Sequence, residues 1–186
     1  MHHIDEKARA ALTKHYSSSI APDSRVLDLA SSWVSHLPEE LSLSHVTGLG
    51  MNEAELKENP RLDDFLMQDL NKDPIMPFED DTFDAVTCAV SIDYMVRPRE
   101  VLAEVSRVLK PGGLSMMAFS NRCFPSKVIS MWLQADDSQR MQMVGMFYHF
   151  ASQDPSVRLF EPPQAFSVGK KRGDPMYIVQ SRSLAQ

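Results

Sequence analysis

Four short, nearly unbroken apolar runs constrain this chain most: residues 25–30 (RVLDLA), 45–50 (HVTGLG), 83–90 (FDAVTCAV) and 113–119 (GLSMMAF). A strand with one wet face alternates apolar and polar side chains. These runs offer apolar groups to both faces, so they read as strands buried within a parallel sheet. Parallel neighbours cannot be joined by a tight turn and need crossovers, usually helical, of a dozen or more residues. A weaker run at 65–68 (FLMQ) adds a further strand between the second and third of these.

The segments between the runs carry helical signals. Ile4, Ala8, Ala11, Leu12 and Tyr16 recur at helical spacing behind the acidic pair Asp5-Glu6, which predicts a helix over 4–20. Asn52 with Glu55 three residues later has the spacing of a capping box. Pro98 suits a first helical position, and Val101, Leu102, Val105, Val108 and Leu109 then form one apolar stripe. Beyond residue 119 the rhythm changes to two helices, over 125–133 and 137–152. Two extended runs, 157–168 and 175–183, follow and are joined through 169–173 (GKKRG), the pattern of an antiparallel hairpin. The expectation is an α/β, Rossmann-like fold: a seven-stranded, mostly parallel sheet with helices on both faces and a C-terminal antiparallel hairpin. With no repeat or linker, residues 1–186 read as one domain.

Composition narrows the partners. A formal charge of −6 without a long Lys/Arg run argues against a general grip on nucleic acid. No stretch approaches a membrane span, and the first residues carry charges throughout, so neither a membrane partner nor a cleaved signal is expected. The two cysteines, Cys88 and Cys123, are too few for a disulfide framework and lack metal-ligand spacing. His149 has no second ligand at helical spacing, so no metal site is expected. These features predict a cytoplasmic protein that handles small molecules.

Three segments carry a resemblance: 76–78 (MPF), 83–86 (FDAV) and 104–113 (EVSRVLKPGG). With the strand order, they make the chain similar to class I S-adenosylmethionine-dependent methyltransferases of type 11. The RVLKPGG turn before a strand is the most specific of the three. The resemblance implies S-adenosylmethionine as cofactor and a methyl acceptor as substrate.

In that family the first strand enters a glycine-rich loop, where missing side chains admit the cofactor. Here the loop reads 28–34 (DLASSWV): Asp28 matches the acid at the strand end, while Ala30, Ser32 and Val34 stand in the glycine places. A β-branched Val34 is poorly suited to positive φ, so the loop is expected to take another path. Gly50 stands where the family carries an acid for the ribose hydroxyls. The resemblance implies Asp28, Ala30, Ser31 and Ser32 as cofactor contacts. It adds Asn52 in place of the ribose acid, Asp69 and Leu70 at the adenine, and Val90 and Ser91 in the crevice beyond strand four. Asn52 also reads as a helix cap and Asp69 as a turn aspartate.

Methyl transfer gains much of its rate from alignment, with a base needed only where the acceptor must lose a proton. Asp93 and Tyr94 leave strand four at the place where relatives face the methyl group, and Asn121 and Arg122 leave strand five beside it. These four are the candidate catalytic residues. Two other functions stay open: a non-catalytic methyltransferase-like binding module, motivated by the altered loop and Gly50, and, more distantly, a nicotinamide-dependent oxidoreductase, which lacks its fingerprint here.

Overall fold

The computed structural model describes residues 4–169 and 173–185. Seven strands form one sheet in the order β3-β2-β1-β4-β5-β7-β6. β1 (Arg25–Leu29), β2 (His45–Gly50), β3 (Asp64–Met67), β4 (Phe83–Ala89) and β5 (Leu109–Phe119) run parallel, with β1 at the point where the order reverses direction. β6 (Gln164–Val168) and β7 (Met176–Arg182) are antiparallel, and β7 inserts beside β5. The expected α/β architecture and terminal hairpin are present; the hairpin's central turn lies outside the described residues.

Alternation along the strands divides the core between the two faces. Leu27 and Leu29 of β1 pack with α3 (Pro98–Val108), α4 (Ser130–Gln134) and α5 (Asp137–His149) through Val101, Val105, Trp132 and Tyr148. Val26, Val46, Ala85, Met116 and Ile178 pack on the other face against Ala8, Leu12 and Tyr16 of α1 (Glu6–Ser19). The family-like segments prove to be one construction. The Glu104 carboxylate accepts from the Met76 backbone N–H at 2.9 Å, and Arg107 donates to the carbonyls of Met76 and Phe78 at 3.0 and 2.8 Å. The helix carrying EVSR thus fixes the MPF turn that leads into β4.

Several elements differ from the sequence reading. Beyond β6 itself, the run 157–168 is irregular, because Pro162 and Pro163 have no N–H to give a ladder. The helix expected over 125–133 is confined to α4. Before it lies a turn, closed by Lys127 N–H to Phe124 O at 2.8 Å and tied to the sheet end by Ile129 N–H to Asp93 O at 3.1 Å. Between β1 and β2, residues 30–44 form no helix at all.

Candidate functional site

Because residues 30–44 lack a helix, their path is set by contacts with the rest of the fold. Ser31 N–H donates to Leu49 O at 2.8 Å, and the Asn59 amide donates to Ser32 O at 2.8 Å. Thr13 donates to His36 O at 2.9 Å, while Arg61 reaches the carbonyls of Pro38 and Leu41 at 2.9 and 2.5 Å. The turn out of β1 keeps a left-handed residue where the family has glycine: Ala30 sits at φ 52°. The other positive φ in the loop falls on His36, at 58°, and not on Val34, so the loop does take another path. A Cβ at Gly50 would run into the Ser31 carbonyl oxygen. Loop and strand end are therefore changed together: the new course of the loop closes the space in which an acid at position 50 would stand.

At the carboxyl ends of β1, β4 and β5 this loop helps to enclose a cavity of about 1020 Å³. Open α/β sheets bind ligands in this crevice, at the switch in strand order. Of the cofactor candidates, Asp28, Ala30, Ser31, Ser32, Val90 and Ser91 line the cavity. Asn52, Asp69 and Leu70 do not. Asn52 caps α2 (Glu53–Lys57), accepting from Glu55 N–H at 3.3 Å, and Asp69 accepts from Asn71 N–H at 3.1 Å and faces Lys72 at 3.5 Å. Leu70 is packed in the core.

Asp28 is buried, and its carboxylate accepts from Ser31 Oγ at 2.5 Å and Thr87 Oγ1 at 3.2 Å. Burial nevertheless pushes its carboxyl up to about 7, because two neutral hydroxyls only partly replace lost hydration. Val90 is a second strained position on the wall, at φ 49° with a β-branched side chain. Among the catalytic candidates, Tyr94, Asn121 and Arg122 line the cavity, and Asp93, buried next to Tyr94 in sequence, does not. Tyr94 accepts from Phe124 N–H at 3.0 Å through its hydroxyl, which leaves the phenolic proton to donate. Burial raises the Tyr94 phenol, and the nearby Asp93 charge adds to the effect, so the side chain is a neutral donor. Asp93 itself is pushed up to about 6 by burial, and its Oδ1 has no partner among the described residues. Arg122 Nε meets Asp174 at 2.9 Å.

The wall residues that come from the N-terminal helix and its approach were not legible as site residues. Ile4 and Arg9 reach the cavity from the first helix and its approach. They are brought there by a reciprocal tie: Asp5 N–H donates to the Asp174 carboxylate at 2.9 Å, and Asp174 N–H donates to that of Asp5 at 2.7 Å. A contact spanning nearly the whole sequence leaves no local pattern. Trp33, His36, Met51, Asn71, Phe124 and Lys127 complete much of the wall.

A parallel sheet with an antiparallel terminal pair, and a crevice beyond β1 and β4, define the class I methyltransferase fold. A family model described as a methyltransferase domain matches residues 28–117, just under half of the chain, so the chain is similar to methyltransferases of type 11. Among similar proteins, the demethylmenaquinone methyltransferase of Clavibacter sepedonicus is 36% identical over 115 residues, 59% of this chain and 45% of that protein. Cycloartenol-C-24-methyltransferase 1 of Oryza sativa subsp. japonica is 32% identical over 123 residues, 58% of this chain and 35% of that protein. The matched stretch thus spans less than half of either relative. A SAM-dependent methyltransferase from Aquifex aeolicus superposes with a TM-score of 0.65 at 17% identity, covering 95% of this chain and 89% of that one. A chain from the Haloferax volcanii complex between the Trm112 methyltransferase activator and a methyltransferase gives 0.68 at 16%, covering 97% and 92%. These likenesses carry the fold.

Family and fold imply S-adenosylmethionine as cofactor, and the wall fits it in part. Asp28 and the left-handed turn at Ala30 stand where the family receives the cofactor's amino-acid end. The ribose acid is absent, and the Ser31 carbonyl excludes a substitute at position 50.

Proposed function

We propose that this protein is an S-adenosylmethionine-dependent methyltransferase acting on a small molecule. The observation that carries the reading is the cavity itself. It lies in the family's crevice, retains the buried Asp28 and the left-handed turn, and at about 1020 Å³ has room for a cofactor and a modest acceptor together. The acceptors named for the two relatives, a demethylmenaquinone and cycloartenol, are small molecules, which supports the same substrate class here.

When bound, the cofactor supplies a methyl group on a positively charged sulfur. The chain's own residues supply position. Asp28, oriented by Ser31 and Thr87, would hold the cofactor's ammonium. Trp33 and Phe124 would exclude water from the wall. Tyr94 would donate its phenolic proton to an acceptor oxygen, with the Asn121 amide beside it. Asp93 acts as a positioning residue, its backbone carbonyl holding the loop after β5 through Ile129 N–H at 3.1 Å. We further propose that residues 1–186 work as one domain, supported by a sheet whose strands are drawn from Arg25 to Arg182. A cytoplasmic setting is supported by free Cys88 and Cys123, and among the described residues no helix is long and apolar enough to cross a membrane.

Gly50 favours a second reading, a methyltransferase-like module that binds without catalysis. Calorimetric titration with S-adenosylmethionine and S-adenosylhomocysteine separates the two. Micromolar binding of both is expected of the enzyme; no heat at millimolar ligand would sink it.

A further inference from the structure

The charges around the cavity run against those of the chain. The protein carries a formal −6, yet the wall holds Arg9, Arg122 and Lys127 against a single acid, Asp28. That acid lies at the β1 end, held by Ser31 and Thr87. Arg122 and Lys127 lie on the loop that leaves β5, two strands away, which is roughly 10 Å across a sheet.

Resting on the methyltransferase reading, we propose that the acceptor carries an anionic group, a carboxylate or phosphate, which Arg122 and Lys127 receive at the β5 end. Asp174 engages the Nε edge of the Arg122 guanidinium at 2.9 Å, and among the described residues both Nη groups are left without a protein acceptor. A guanidinium held on one edge presents the other as a ready fork for two oxygens. Lys127 has no carboxylate partner among the described residues, and its ammonium lies 5.3 Å from the centre of the Phe124 ring. The loop bearing both cations is fixed at Phe124, whose N–H reaches the Tyr94 hydroxyl, and at Ile129, whose N–H reaches Asp93 O. Tyr94 and Asn121 line the same cavity, and the Tyr94 O–H and the Asn121 amide N–H can each donate to an anion there.

The cofactor's own carboxylate is the other source of such chemistry, and Arg9 and His36, on the α1 side of the cavity, are the residues for it. The test saturates the full-length protein with S-adenosylhomocysteine and then titrates benzoate, phenyl phosphate or benzyl alcohol, followed by NMR shift changes. Both anions are expected to bind at least about tenfold tighter than the alcohol, the effect of a charge-assisted hydrogen bond. The R122Q/K127Q variant should lose that preference while holding S-adenosylhomocysteine within about twofold of wild type. Should the double variant fail to fold, K127Q alone is expected to lose part of the preference, since Lys127 is exposed and ties no other element. Equal binding of alcohol and anions, anion binding undiminished by these substitutions, or displacement of benzoate by S-adenosylhomocysteine would overturn the proposal. Anion binding that depends on Arg122 and Lys127 in a protein that ignores S-adenosylhomocysteine would support the anion site and remove the methyltransferase reading.

Discussion

Asp28 is an acid placed where ionisation is expensive, and the sign of its effect follows from that. In the unfolded chain it titrates near 3.8, and in the fold near 7, so the folded state holds the proton more tightly. Its stabilising contribution is complete below the unfolded value and is lost as pH climbs to about 7. Thermal unfolding of D28N compared with wild type between about pH 4 and pH 8 should show the variant free of much of this decline, worth a few kcal/mol at most. Asp93, raised to about 6, keeps a residual slope of the same sign. Parallel curves would mean that Asp28 is better solvated than its burial implies. Gly50 sets a complementary expectation. Restoring the family's acid as G50D drives a side chain into the Ser31 carbonyl, so it should cost about 2 kcal/mol or more in denaturant titrations and leave S-adenosylhomocysteine affinity no better. A gain in affinity would show that the loop moves aside readily.

At the scale of elements, the difference between what was legible and what was not has a physical origin. β1, β2, β4 and β5 could be read because continuous apolar runs report burial on both faces, and α3 because its stripe has a clear period. The links between MPF and EVSR were visible as a resemblance, and the structure supplies the reason in the contacts of Glu104 and Arg107. Residues 30–44 carry no comparable signal, since side chains far along the sequence hold them. The same is true of the turn before α4, whose closure depends on a carbonyl at Asp93. Asp69 matched the family by position and Asn52 stood two residues beyond the family's acid, yet their side chains serve a turn and a helix cap, which local spacing also allowed. Arg61 is the main clamp on the helix-free connection, donating to two carbonyls that would otherwise lose a partner. R61M should therefore destabilise the protein by about 1–3 kcal/mol. Hydrogen exchange should quicken around residues 38–41 before the sheet is affected. Uniform acceleration across the sheet would instead make the clamp part of the global unfolding unit.

At the scale of the molecule, the two ends of the chain meet at the cavity. Asp5 caps α1 by accepting from Ala8 N–H at 2.8 Å, and the same carboxylate accepts from Asp174 N–H at 2.7 Å. Asp174 returns the contact to the Asp5 N–H and also holds Arg122, so one carboxylate links α1, the approach to β7 and the exit of β5. Ile4 and Arg9 take their places on the wall from this tie. Removing the carboxylate as D174A takes an acceptor from the Asp5 N–H and the ion partner from Arg122, while Leu12 and Tyr16 keep the body of α1 packed on the sheet. The first turn of α1 should therefore exchange its amide protons faster, with the midpoint of global unfolding shifted only slightly. S-adenosylhomocysteine should bind more weakly in the same variant, because a wall that must be ordered on binding draws on the binding free energy. D174N, which keeps one oxygen acceptor for the Asp5 N–H while losing the charge and the second oxygen that Arg122 uses, should recover most of the protection. Unchanged exchange in D174A would show that the packed face of α1 alone fixes its N-terminus, and that the cavity wall stands without the tie.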